Sequence, residues 1–284
     1  MSAPDAPSHI RIERDGAAAF LLMDRPERFN ALDIRMAQDL RSAGLKLARD
    51  ASVRAVVLRG TGGKAFCSGA DLKYIQAGGA APDLAYLAPG ARPAPQGFGA
   101  VFKQILEYLH STISEIRRSS KPWIAAVDGV AAAGGLGLAM CCDLVVASER
   151  STFEWAYAKT ALCGAESSTF FLPRLVGLRR AMGMALMNPR LDARAARDWG
   201  LVNEVYPAER FDEEVRSLAR RLAEGPSGTY AMTKALMAQG AQADRLDHHL
   251  DLELTSLARS ADQADFAEGV AAFFGKRAPR FQGK

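Results

Sequence analysis

At 284 residues, with 49% hydrophobic and 24% charged side chains, the chain is long enough to bury a full core and too apolar to be disordered overall. Its formal net charge of +4 is too small, and too evenly spread, to imply a nucleic-acid partner. The cysteines, Cys67, Cys141, Cys142 and Cys163, have neither paired metal spacing nor a disulfide framework, so no metal site is expected and a reducing compartment is the simplest reading.

The N-terminal stretch MSAPDAPSHIRIERDG has no apolar core segment and is not expected to act as a signal peptide. Ile10 to Arg14 and Ala17 to Met23 flank Asp15-Gly16, a hairpin signal. After Arg25-Pro26-Glu27-Arg28-Phe29-Asn30-Ala31-Leu32, Asp33 is placed to cap a helix running to about Asp50, with Ile34, Leu40 and Leu47 among its apolar positions. Val53 to Leu58 forms a buried strand pattern that ends at Gly60. Strand, helix and strand in this alternation predict an α/β fold with crossover connections.

Lys64 to Lys73, KAFCSGADLK, passes from an apolar run into a short helical pattern and offers the backbone amide of Ala70. Residues 78 to 99 are rich in Gly, Pro and Ala, which suits either a surface loop or a lid over a substrate. Val101 to Arg118 has helical periodicity through Ile105, Leu109, Ile113 and Ile116, and carries His110.

The stretch from Lys121 to Asp143, KPWIAAVDGVAAAGGLGLAMCCD, organises the rest. A buried run from Trp123 to Val127 breaks at Asp128-Gly129, and Gly134, Gly135 and Gly137 follow among alanines. Asp128 and the glycines argue against a membrane span, which favours a cytoplasmic protein. Glycines allow close approach, and a helix starting here leaves amide N–H groups pointing outward, Gly134 among them. Two such amides, of Ala70 and Gly134, aimed at one carbonyl oxygen would form an oxyanion hole, each donor contributing about 3 kcal/mol to a charged transition state.

Further on, Leu144 to Ala147 and Phe153 to Tyr157 are short strand-like segments. Ser167 to Leu175 and Arg179 to Met187 look helical, Asp192 caps Ala193 to Trp199, and Val202 to Tyr206 is the last strand-like run. From Phe211 onward the pattern is helical: Glu213 to Ala223, Pro226 to Ala238, Leu246 to Ala258 and Phe266 to Phe274. The organisation therefore changes at about residue 206, dividing a core over 1–205 from a helical region over 206–284.

Taken together, these segments resemble the crotonase superfamily, the enoyl-CoA hydratase and isomerase family. Arg25 to Leu32 resembles the family's RPxxxNAL opening, Phe66 to Lys73 its FxxGADLK loop, and Lys121 to Asp143 its KPxIAAVxGxAxGGGxxLAxxCD segment. Leu172 to Gly177, Ala195 to Asn203 and Phe273 to Arg277 resemble three later landmarks. The resemblance implies a crotonase-like ββα spiral core with a C-terminal all-helical oligomerisation region, assembled as a homotrimer or homohexamer. It implies a coenzyme A thioester as substrate and no resident cofactor. The family's ligand contacts carry over to Arg28, Ala31, Asp71, Leu72 and Lys73, with Phe273 and Lys276 reaching in from the tail, of a neighbour in the assembly.

Departures from the pattern bear on the reaction. Hydratases of the family use two glutamates, since one carboxylate can accept a proton from water while the other holds or returns one. Their positions fall here on Gly137 and Tyr157, so ordinary hydration is not expected. Isomerases use one acid from the next loop, whose position falls on Ala165, one place before Glu166. That offset leaves two orientations open for Glu166: inward to a thioester, or outward at a helix start where the macrodipole favours it. His110 stays a catalytic candidate because a similarly placed histidine serves the family's chlorobenzoyl-CoA dehalogenases. Glu154 ranks lower, while Asp143 and Asp128 suit structural roles.

The leading expectation is enoyl-CoA isomerisation through an enolate held by Ala70 and Gly134, with Glu166 moving the proton. The alternatives are a hydrolase or dehalogenase acting on an aromatic or cyclic acyl-CoA, suggested by Gly137, Tyr157, His110 and the apolar Trp155 region, and a non-catalytic acyl-CoA-binding protein. Gly60 to Ala65 lacks the spacing of a phosphate loop, and no nucleophile elbow or dinucleotide fingerprint occurs.

Overall fold

The computed structural model describes residues 8–79 and 97–283, so most of the 78 to 99 stretch, and with it the lid expectation, lies outside the described residues. Strands β1 (Ile10–Asp15) and β2 (Ala18–Met23) form an antiparallel hairpin with Ile12 opposite Leu21. Its turn is Gly16-Ala17, one place later than the sequence signal, because Gly16 supplies the left-handed backbone at φ 58°. Helix α1 (Ile34–Arg49) begins where the Asp33 carboxylate accepts the Met36 amide at 2.7 Å.

From α1 the chain winds as a spiral of two sheets. Each turn lays one strand in a large sheet, a second in a small sheet, and then a helix. The first turn is β3 (Ala55–Gly60), β4 (Ala65–Cys67), α2 (Leu72–Gln76) and α3 (Phe98–Arg118). The second is β5 (Trp123–Val127), β6 (Val130–Ala132) and α4 (Gly134–Cys141). The third is β7 (Leu144–Ser148) and β8 (Thr152–Glu154), followed by α5 (Ser168–Val176) and α6 (Leu178–Met187). Then come β9 (Arg190–Asp192), α7 (Ala193–Asp198) and β10 (Glu204–Tyr206). The large sheet has the order β1-β2-β3-β5-β7-β10 and the small one β4-β6-β8-β9, so consecutive turns stack strand beside strand. Within the small sheet β4, β6 and β8 run parallel.

Both faces of the large sheet are buried at its inner strands β2, β3, β5 and β7, which is why these look like unbroken apolar runs, while edge strand β1 alternates. Leu21, Val56, Leu58 and Ala125 face the main core, while Phe20, Val57, Ile124 and Val146 face a second cluster. That cluster is closed by Phe211, Val215 and Ala219 of α8 (Phe211–Glu224), and burying Phe211 alone contributes about 2 kcal/mol. Helix α8 thus packs on the large sheet of the same chain. The next helices, α9 (Ser227–Gly240) and α10 (Leu246–Ala261), bury no residue and expose Met237, Leu254 and Leu257. Helix α11 (Ala264–Phe274) ends the described helices, with Phe273 and Phe274 exposed. Among the described residues, no helix is long and apolar enough to cross a membrane.

Asp143 ties these layers together. Its carboxylate accepts the Trp123 amide at 2.9 Å and meets Lys234 of α9 at 2.7 Å, with the same ammonium donating to the carbonyls of Ile116 and Lys121. Asp128, at the β5–β6 turn, pairs with Arg150 instead, at 2.6 Å.

Candidate active site

Because β4 and β6 are adjacent parallel strands, the loops leaving their ends emerge side by side. The first loop carries Ala70. The Leu32 amide donates to the Gly69 carbonyl and the Asp71 amide to the Leu32 carbonyl, both at 2.8 Å. These bonds fix the peptides on either side of Ala70. Its own N–H has no protein acceptor among the described residues. Arg25 braces the loop, donating to the Ala31 carbonyl at 2.8 Å and pairing with Asp33 at 2.9 Å and Asp71 at 3.2 Å.

The second loop leaves β6 through Ala133, whose φ of 45° and ψ of −118° turn the chain into α4. The Gly134 amide lies in the first turn of that helix, where N–H groups have no intrahelical partner, and it too has no protein acceptor among the described residues. The loops are in contact: a β-carbon on Gly69 would stand 3.3 Å from the Gly134 nitrogen, and one on Gly135 would stand 2.7 Å from the Cys67 carbonyl carbon. Only glycine at 135 permits that approach.

Glu166 joins them from the third turn. Glu166 and Ser167 both take left-handed backbone, at φ 47° and 61°. This bend offsets the one-residue shift from Ala165 and turns the side chain inward. Its carboxylate carbon and Oε1 each lie 3.0 Å from the point a β-carbon on Gly134 would occupy. The Tyr157 hydroxyl donates to Oε2 of Glu166 and lies 3.2 Å from the Ala165 carbonyl. The Ser168 hydroxyl, which donates to that carbonyl, is 3.5 Å from the Tyr157 hydroxyl.

Burial pushes the Glu166 acid up to about 7, with the Tyr157 hydrogen bond pulling the other way. Burial, and then the nearby Glu166 charge, hold the Tyr157 phenol well above its ordinary value. Cys67 is pushed up to about 12 by burial, with the Glu166 charge adding to it, and so is no thiolate at neutral pH. Trp155 meets Tyr157 edge-on at 5.1 Å between ring centroids, so an indole backs the phenol that donates to Glu166. A carboxyl group titrating near neutrality beside free amides suits proton transfer next to a carbonyl.

The remaining expected residues separate. His110 is exposed on α3, off the buried stripe of Ile105, Leu109 and Ile113, and makes no hydrogen bond or ion pair among the described residues. A catalytic role for His110 therefore rests on the resemblance alone. Asp71 is buried, and its carboxylate is taken by Arg25, by Arg28 at 2.7 Å and by the Tyr74 amide at 3.1 Å. Burial raises this acid, but the bonds from Arg28 and the Tyr74 amide outweigh it and hold Asp71 below the usual carboxylate range. Its side chain braces the Ala70 loop. Ala31 is buried, Arg28 is half-buried, and Leu72 and Lys73 are exposed at the start of α2. Phe273 and Lys276 are exposed at the end of α11.

Sequence reasoning missed Arg25, Ser168 and Asn188. Asn188 accepts the Ala156 amide at 2.6 Å and donates to Glu154 at 2.8 Å. Glu154 also pairs with Lys159 and Arg190, which, despite burial, hold its carboxyl below the usual range. No local signature marks such long-range partners. Among the described residues, no group of three or more His, Cys, Asp or Glu side chains could hold a metal ion.

Known proteins resemble this chain in sequence and fold. The Enoyl-CoA hydratase/isomerase family model matches residues 13–90 and 99–284. The 1,2-epoxyphenylacetyl-CoA isomerase of Escherichia coli (strain K12) is 33% identical over 266 residues, covering 93% of this chain and 94% of that one. A 4-chlorobenzoyl coenzyme A dehalogenase-2 of Arthrobacter sp is 32% identical over 268 residues, covering 94% and 91%. The crystal structure of an enoyl-CoA hydratase from Polaromonas sp. JS666 superposes with a TM-score of 0.84 at 30% identity, covering 96% of this chain and 99% of that one.

Proposed function

The chain belongs to the enoyl-CoA hydratase/isomerase family, and from that premise we propose that it isomerises an enoyl-CoA thioester through an enolate, with Glu166 as the one acid/base. The observation that carries this reading is the Glu166 carboxylate, buried against Gly134, bonded by Tyr157 and poised near neutral pH. In the reaction, Glu166 takes the proton from C2 of a 3-enoyl thioester. The electron pair delocalises onto the thioester oxygen, where the Ala70 and Gly134 amides stabilise it. Return of the proton at C4 gives the 2-enoyl thioester, so atoms balance and no resident cofactor is invoked.

Two-glutamate hydration fits this chain poorly. The positions for those acids hold Gly137 and Tyr157, and the Glu166 segment fills the space beside Gly137. Arg28, Leu72 and Lys73, half-buried or exposed in and beside the Ala70 loop, are candidate contacts for the coenzyme A phosphates and adenine, with Ala31 offering backbone. The exposed apolar faces of α9 and α10 favour self-association as a homotrimer or homohexamer, which would bring Phe273 and Lys276 to a neighbour's site.

A second reading, hydrolysis or dehalogenation of an aromatic acyl-CoA, is favoured by the Trp155–Tyr157 aromatic pair beside Glu166. Incubation with 3-hexenoyl-CoA and with halogenated benzoyl-CoA thioesters separates these readings. Conversion to 2-hexenoyl-CoA without free CoA supports isomerisation. Release of CoA or halide supports the second reading, and tight CoA binding with no turnover supports a non-catalytic binder.

A further inference from the structure

Glu154 stands at the joint between the two halves of the site, although it touches neither a free amide nor Glu166. Its backbone carbonyl accepts the Ala133 amide at 3.2 Å, fixing the strained residue that presents the Gly134 N–H. Its buried carboxylate accepts the Asn188 side-chain amide at 2.8 Å. The other end of that amide takes the Ala156 N–H at 2.6 Å, and Ala156 is itself left-handed at φ 59°. The next residue, Tyr157, is the donor to Glu166.

We propose that Glu154 and Asn188 are positioning residues, holding the turn at Ala156 so that the Tyr157 hydroxyl meets the Glu166 carboxylate while Gly134 is held from the same strand. A left-handed alanine costs on the order of 1 kcal/mol and persists only where surrounding bonds impose it. Asn188 provides one such bond directly, and Lys159 and Arg190 keep Glu154 ionised to receive Asn188. The inference rests on Glu166 being the acid/base of the proposed reaction.

The test is to titrate the Glu166 carboxyl in the full-length protein by infrared difference spectroscopy, its band assigned by loss in Glu166→Gln. Among the described residues, Tyr157 and Cys67 are the titratable groups facing it. Tyr157→Phe removes the donor and raises the midpoint. Asn188→Ala is expected to raise it by about half a pH unit or more, because a loosened Tyr157 favours the carboxylate less. The double variant Tyr157→Phe/Asn188→Ala then goes no higher than Tyr157→Phe alone. Glu154→Gln keeps the side-chain shape and is expected to shift the midpoint in the same direction by less, giving a reading should Asn188→Ala fold poorly. A change in packing alone lowers Tm without moving this band. Midpoints in Asn188→Ala and Glu154→Gln equal to wild type would overturn the proposal. Retained turnover in Glu166→Gln would instead remove the acid/base reading beneath it.

Discussion

The β-carbon of Glu166 lies 2.8 Å from the point where a β-carbon on Gly137 would sit, so the two positions cannot both carry side chains in this packing. The backbone carbonyl oxygen of Glu166 is closer still to that point. One glutamate has in effect taken the room that a second would need.

Gly137→Ala is therefore expected to push the Glu166 loop outward, at a cost of about 1–3 kcal/mol for overpacking. Activity should fall far more than stability, because the carboxylate loses its place over Gly134. A thermal melt alongside an isomerisation assay measures both, and normal activity in a folded Gly137→Ala protein would contradict the packing.

Replacing the acid itself isolates the chemistry. Glu166→Gln keeps the volume and the Tyr157 contact, and it should lower kcat about a thousandfold, within the range for a general acid/base. Affinity for CoA, measured by calorimetry, should stay close to wild type because the contacts proposed for CoA lie elsewhere.

The same substitution has a stability signature. The Glu166 acid sits at about 7 in the fold against an ordinary value of 4.5, so its contribution to stability is fully present below the lower figure and is lost as pH rises through the higher. The gap corresponds to about 3 kcal/mol. Glu166→Gln should therefore melt several degrees above wild type in alkaline buffer and converge with it in mild acid. Equal melting temperatures at both ends would show that no strained carboxylate is relieved.

Tyr157→Phe removes a hydrogen bond that favours the ionised carboxylate. If Glu166 must be ionised to take a proton, the acid limb of the rate profile should move to higher pH. The loss should be greatest below neutrality and fade in alkaline buffer, by analogy with charged hydrogen bonds worth about 1.5–3 kcal/mol. A uniform loss at every pH would mean that Tyr157 acts on something other than ionisation.

Local chemistry was the legible part of this chain. The Asp33 and Asp192 caps involve partners three residues away, and the parallel strands declare themselves as apolar runs. Glu166 was ambiguous because its direction depends on left-handed backbone at two non-glycine residues, which no side-chain pattern announces. His110 could be placed on a helix but not on a face pointing to the site, since its neighbour Leu109 takes the buried stripe. The role of Asn188 was illegible because its partners lie 32 and 34 residues away. Asp71 was recognised as part of a ligand loop, yet its arginine partners, 43 and 46 residues distant, give it a structural task.

That task is testable. Asp71→Asn removes a buried charge from Arg25 and Arg28 beside Ala70 while leaving a partial cap for α2. Loss of about 3 kcal/mol is expected from breaking a buried pair. The chevron or melt should report it, and kcat should fall with stability because the Ala70 loop loses its brace.

The most direct measurement is a crystal structure with a bound acyl-CoA thioester. The thioester oxygen should lie about 3 Å from both the Ala70 and Gly134 nitrogens, with a Glu166 oxygen facing the α-carbon. A thioester oxygen outside the reach of either amide, or a Glu166 carboxylate turned from the α-carbon, would contradict enolate chemistry at this site.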